Sequence, residues 1–224
     1  MWGVPAAGPR YAIGDQRPAM FSFPHRLYPI VDTLGDPRRS YVALAQAMLD
    51  AGVRLLQLRV KDQPTRRVVE IARAVKTAAD RAAALLIIND RCDVATLIDA
   101  AGVHLGQDDL PVAAAREILG PNKIIGFSTH NGAQVEAAVR AGVATYIGFG
   151  PIFPTASKAF PDPVQGLEGL RQLHRRGALP IVAIGGITEQ TMPEVLAAGA
   201  DAVAMIGAIV RADDVRGTVR RLLR

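Results

Sequence analysis

Side chains able to bind anions and cations recur in this chain at the C-terminal ends of short apolar runs. Gln57, Arg59 and Lys61 alternate with apolar residues, so they share one face of an extended segment and two cations can converge on one anion. Asn89 and Asp90 close the next run, and the one after it contains His104 and continues into Gln107, Asp108 and Asp109. Ser128, Thr129 and His130 follow, then a stretch over 148–158 that ends in Thr155, Ser157 and Lys158. The last two runs end in Gly185-Gly186 and Ile206-Gly207. Cations, amides and hydroxyls in this mixture hold phosphate, and glycine lets backbone N–H groups approach an anion closely. Paired carboxylates suit a magnesium ion that keeps water and phosphate oxygens in its shell.

Each group also has a plainer reading. Arg59 and Lys61 can be surface charge at a strand end. Asp90 can be the N-cap of the helix that follows it, Asp109 can cap a helix beginning near Pro111, and Ser128 can cap the next one. The glycine pairs can be simple strand-to-helix turns, and His104 reads better as a hydrogen-bonded barrel residue than as a catalytic base. Joint placement decides between the two sets. If the runs are neighbouring strands, Asp90 and Asp109 lie at adjacent strand ends and are expected to bind metal, and Gly186 and Gly207 are expected to bind phosphate.

The elements that must position these residues alternate. Strand candidates fall at 27–32, 55–60, 85–89, 103–106, 124–128, 146–150, 181–185 and 202–206, separated by Ala-rich stretches with apolar residues at helical spacing. Four of those stretches end in a near-repeat, Ala51-Gly52-Val53, Ala101-Gly102-Val103, Ala141-Gly142-Val143 and Ala198-Gly199-Ala200, in which each glycine is expected to cap a helix. Eight β/α units in 224 residues predict one α/β domain, a single (β/α)8 TIM barrel over 26–224, with its chemistry in the loops after the strands. No Gly-x-Gly-x-x-Gly follows the first strand, so a doubly wound sheet is the weaker alternative. Residues 1–25 are rich in Gly and Pro without either period, and read as an extended or disordered arm.

Composition narrows the function classes. Half of the residues are apolar, enough for a core without staples, and the single cysteine, Cys92, rules out a disulfide framework. No apolar run reaches the roughly 20 residues of a membrane span, and no signal segment opens the sequence, so a cytoplasmic protein is expected. The net charge of +5 is dispersed and not gathered into an aromatic-interleaved patch, which favours small anionic, phosphorylated substrates over nucleic acid as partners.

From Leu27 to about Leu223 the sequence resembles the thiamine phosphate synthase family. The resemblance rests on six motifs in order: Gln57-Leu58-Arg59-Val60-Lys61, Asn89-Asp90, His104-Leu105-Gly106-Gln107-Asp108-Asp109, Gly126-Phe127-Ser128-Thr129-His130, the stretch 148–158, and Ile184-Gly185-Gly186-Ile187. It implies condensation of 4-amino-2-methyl-5-hydroxymethylpyrimidine diphosphate with 4-methyl-5-(2-phosphoethyl)thiazole. It further implies that Arg59, Lys61, Asn89, Ser128 and Lys158 hold pyrophosphate, Asp90 and Asp109 hold Mg2+, and Gln57 bonds the pyrimidine. Thr155, Ser157, Gly186, Ile206 and Gly207 would hold the thiazole phosphate.

Three positions depart from the family pattern. Val60 replaces an acidic or polar residue but is expected to face away from the site, and Ser157 replaces a common Thr while keeping its hydroxyl. Gly207 replaces a common Ser, so weaker thiazole phosphate binding is expected. A paralogous thiazole tautomerase needs a general base but no metal, and a non-catalytic phosphate-binding regulatory barrel needs only the last two loops. Retention of Asp90, Asp109 and Lys158 speaks against both.

Overall fold

The computed structural model describes residues 21–34, 36, 39–155, 162–175 and 179–224. Its strands are β1 (Leu27–Val31), β2 (Leu55–Leu58), β3 (Leu85–Asn89), β4 (Gly102–Leu105), β5 (Ile124–Thr129), β6 (Tyr146–Phe149), β7 (Ile181–Ile184) and β8 (Ala202–Met205). They pair in parallel in chain order, and β8 returns to β1, so the sheet is a closed eight-stranded barrel and not the doubly wound alternative. Helices α1 (Tyr41–Asp50), α2 (Thr65–Arg81), α3 (Cys92–Leu97), α4 (Val112–Leu119), α5 (Gly132–Ala141), α6 (Gly166–His174) and α7 (Met192–Ala197) each follow their strand. Two more, α8 (Gly207–Val210) and α9 (Val215–Leu222), follow β8, and α9 packs on α1 to complete the outer ring.

Side chains alternate along every strand, as a pleat requires. Leu27, Val31, Leu56, Leu58, Leu86, Ile88, Val103 and Leu105 point outward into one apolar layer beneath the helices. Tyr28, Ile30, Leu55, Ile87, Tyr146, Val182, Ala202 and Ala204 fill the inside. The helices present matching stripes: α2 buries Val68, Ile71, Ala72, Val75, Ala78 and Ala79, spaced by three and four residues. Each such aliphatic side chain contributes about 1.5–3 kcal/mol when taken out of water. Val60 joins the outer layer, facing away from the barrel mouth.

Several expected strands end one or two residues earlier than the sequence suggests, because their last residues leave the ladder to form the mouth. The repeated glycines do not all act alike. Gly142 caps α5 with φ +65 and ψ 14, whereas Gly52 and Gly199 fall one residue beyond the caps Ala51 and Ala198. Gly102 is no cap at all: it begins β4, where a Cβ would sit 1.9 Å from the Ile124 carbonyl oxygen.

The end of the barrel opposite the mouth is closed by aromatic rings. Phe21 stacks on Tyr146 at 6.2 Å, and Phe23 meets the same ring edge-on at 5.3 Å. The last residues of the expected arm thus pack on the barrel interior, while residues 1–20 lie outside the described residues.

Inside, Gly126 makes room for that plug and for His104. A Cβ there would lie 2.2 Å from Tyr146 Cζ and 2.4 Å from His104 Nδ1. Gly126→Ala is therefore expected to destabilise the barrel by about 1–3 kcal/mol, the usual cost of overpacking. Urea unfolding checks this, and an unchanged midpoint would contradict the packing described.

Candidate active site

Inward-facing positions near the strand ends surround a cavity of about 470 Å3 at the C-terminal mouth, a size suited to small molecules. Gln57, Arg59, Asn89 and Ser128 line one side, and Thr155, Gly186, Ile206 and Gly207 line the other. Gly186 adopts φ +65, and a Cβ on it would lie 2.4 Å from the Pro154 carbonyl oxygen, so the loops after β6 and β7 meet across a glycine. Lys61, Asp90 and Asp109 are not part of the cavity wall but sit on the loops beside it. Ser157 and Lys158 lie outside the described residues.

Charge in the mouth is more balanced than the sequence suggests. Arg59 and Lys61 do not converge on an open space: Arg59 Nη1 donates to Asp32 Oδ2, and Lys61 Nζ donates to Asp90 Oδ2. Asp32 is buried at the end of β1 and also accepts from the Leu34 amide at 2.7 Å. Asp109 accepts from the Gly106 amide at 2.7 Å. Burial, and secondly the neighbouring Asp90 carboxyl, hold the Asp109 carboxyl above the usual carboxylate range.

The helix-capping readings do not hold. Asp90 has φ +62, and its amide donates to the His104 carbonyl at 2.8 Å, while the cap of α3 is Arg91. Pro111 precedes α4 without a side-chain cap, and Asn131 caps α5 by accepting from Gln134 N at 3.0 Å. Asp90, Asp109 and Ser128 are thus left to the mouth.

Two cations therefore face three carboxylates, Asp32, Asp90 and Asp109. The adjacent carboxyls of Asp90 and Asp109 provide hard oxygen donors for a divalent ion. No cluster of three or more His, Cys, Asp or Glu occurs among the described residues, so water and phosphate oxygens would have to complete the shell. That donor set fits magnesium.

Beneath the cavity runs a chain of buried and part-buried hydrogen bonds. Gln57 Nε2 donates to Tyr28 Oη at 3.3 Å, Tyr28 Oη meets Tyr146 Oη at 2.8 Å, and Tyr146 Oη meets His104 Nδ1 at 3.0 Å. His104 Nε2 then meets Ser128 Oγ at 2.9 Å. Burial pushes the His104 imidazole down to about 4 and the Tyr28 hydroxyl up to about 12, so these groups stay neutral. Both ring nitrogens of His104 are occupied, and the chain orients Gln57 and Ser128 from below. Nearby, His130 Nδ1 lies 2.8 Å from the Gly150 carbonyl oxygen and ties the fifth loop to the sixth.

Sequence reasoning anticipated His104 as a satisfied residue but missed Asp32, Tyr28, Tyr146 and Arg211. The two tyrosines had a signal, since each falls on the inward phase of its strand, in step with Ile30 and Gly148. Asp32 had none beyond its place at a strand end.

Fold and site together define a (β/α)8-barrel enzyme with a phosphate-suited mouth. The family model described as thiamine monophosphate synthase matches residues 27–209. The chain is 44% identical over 197 residues to the thiamine-phosphate synthase of Chloroflexus aurantiacus, covering 88% of this chain and 90% of that one. It is also 44% identical over 201 residues to the thiamine-phosphate synthase of Shouchella clausii, with 89% and 95% coverage. A solved thiamine phosphate pyrophosphorylase from Pyrococcus furiosus superposes with TM-score 0.78 at 38% identity, covering 88% of this chain and 93% of that one. The chain belongs to the thiamine monophosphate synthase family, and it is an enzyme of the transferase class.

The His104 environment yields a pH prediction. Its folded value of about 4 lies below the ordinary 6.5, so the unfolded chain takes up the proton first as the pH falls. This contribution to stability is present above pH 6.5, declines below it and is lost by about pH 4, roughly 3 to 4 kcal/mol in all. NMR titration should find the ring neutral at pH 5.5, and a ring titrating near 6.5 would contradict its burial.

Proposed function

We propose that this enzyme condenses 4-amino-2-methyl-5-hydroxymethylpyrimidine diphosphate with 4-methyl-5-(2-phosphoethyl)thiazole, giving thiamine phosphate and pyrophosphate. The carrying observation is the mouth itself, where paired cations and carboxylates stand on one side of a single cavity and glycine-rich loops stand on the other. One side suits a diphosphate brought with a divalent ion, and the other suits a monophosphate. Small phosphorylated molecules are the partners in this reading, with no nucleic acid. A cytoplasmic setting belongs to it too; among the described residues no helix is long and apolar enough to cross a membrane.

In this reading Gln57 hydrogen-bonds the pyrimidine, fixed from below by Tyr28. The bond between the methylene carbon and the diphosphate oxygen breaks first, and its electron pair leaves with pyrophosphate. The thiazole nitrogen then donates its lone pair to the resulting pyrimidine carbocation. The chemistry needs charge stabilisation on the leaving group more than acid–base catalysis. Arg59, Lys61, Asn89, Ser128 and Lys158 are assigned to that group, and Asp90 and Asp109 to the magnesium ion. When bound, that ion neutralises charge on the departing oxygens. Thr155, Ser157, Gly186, Ile206 and Gly207 are assigned to the thiazole phosphate.

A tautomerase would need a general base. It would need neither a metal nor a pyrophosphate site, and the retention of Asp90, Asp109 and Lys158 speaks against it.

Thiamine phosphate formation from the two substrates, with and without magnesium, tests the proposal. Undiminished turnover in excess chelator would remove the metal from the mechanism, and no product under either condition would remove the reaction. Asp109→Asn is expected to lower condensation by on the order of 100-fold while thiazole phosphate binding holds, because one anionic oxygen leaves the metal shell. Equal rates in variant and parent would refute the metal role. Lys158→Ala is expected to lower kcat more than it raises the thiazole KM, since charge on pyrophosphate grows in the transition state. The reverse pattern would reassign Lys158 to the other phosphate.

A further inference from the structure

Arg211 follows α8 one helical turn after Gly207, so its side chain is directed back over that residue. Its Nη1 lies 3.2 Å and its Cζ 3.6 Å from the position a Cβ on Gly207 would occupy. It lines the same cavity as Gly186, Thr188 and Gly207. The contrast with Arg59 across the cavity is electrostatic. Arg59 is held by buried Asp32, whereas no carboxylate among the described residues pairs with Arg211. Among the described residues, one wall of the mouth thus carries cations paired with carboxylates, and the other carries a guanidinium without such a pair, beside glycine loops.

We infer that Arg211, whose guanidinium passes over Gly207 into the cavity, binds the phosphate of the thiazole substrate in this chain. This rests on the reading of the cavity given above. A guanidinium offers two parallel N–H donors to a phosphate, and a charge-assisted pair of this kind is stronger than a hydroxyl contact. A serine at 207 would place its Cβ 3.2 Å from Nη1, so the guanidinium would have to shift by a few tenths of an ångström. The donor missing at Gly207 is replaced from one turn further along the chain.

The test compares the parent, Arg211→Ala, Gly207→Ser and the double variant, each checked for folding by circular dichroism. The Arg211 side chain is exposed, so its removal leaves the core untouched. Calorimetry should show Arg211→Ala weakening thiazole phosphate binding by about 10- to 100-fold, the range for losing a charged hydrogen bond. The thiazole KM should rise in parallel, with the pyrimidine diphosphate KM essentially unchanged. The phosphate-free thiazole alcohol should bind parent and Arg211→Ala equally. Adding Gly207→Ser to Arg211→Ala should recover part of the loss.

Equal thiazole phosphate binding in parent and Arg211→Ala would overturn the inference. So would an equal loss for the alcohol, which would mean packing, or a loss confined to the diphosphate. If the parent makes no thiamine phosphate, the functional reading fails on its own. Binding of inorganic phosphate to the parent and Arg211→Ala then decides the role of Arg211: weaker binding in the variant supports it, and equal binding overturns it.

Discussion

When β8 hydrogen-bonds to β1, Leu27 comes opposite Val203 and Pro29 opposite Met205, and the sheet has no free edge left. Every later feature follows from that closure. It carries Gly207 and Arg211, near the end of the chain, to the same mouth as Asp32 and Arg59, near its beginning. It also forces alternate strand residues into a confined interior that must be filled. Large rings from β1, β4 and β6 fill it only because Gly126 and Gly148 give them space. With Phe21 and Phe23 packed at the far end, the cavity opens at the C-terminal ends of the strands.

The confined interior explains the polarity of the site. Tyr28 and Tyr146 are buried and His104 is half-buried, so each needs a partner, and they find one another. The resulting chain is neutral and ends at Gln57 and Ser128, two groups that face the cavity. A charged histidine would break this arrangement, because burial disfavours the imidazolium. The network therefore acts by holding donors in place.

Around the mouth, charge is arranged in two ways. At the ends of β1 to β4, Arg59 and Lys61 each sit against a carboxylate, so they supply direction more than net attraction. At β7 and β8 no carboxylate among the described residues pairs with the guanidinium of Arg211. A substrate phosphate that is not itself transformed can be gripped by a permanent charge.

The fold was legible in the sequence because period and composition are local properties. Eight apolar runs of period 2, separated by stretches at helical spacing, allow few architectures other than the barrel. Residue types at the run ends were legible for the same reason, and Gln57, Arg59, Asn89, Ser128, Thr155, Gly186, Ile206 and Gly207 do meet at one cavity. What lay beyond the sequence was pairing. Asp90 reads equally well as a cap or a ligand until the Lys61 ammonium and the Asp109 carboxyl are brought beside it. Gly207 reads as a lost donor until Arg211 folds over it, and Arg59 reads as a free cation until Asp32, from another strand, meets it. A side chain's type is written in the chain, but its charge balance depends on neighbours that only barrel closure supplies.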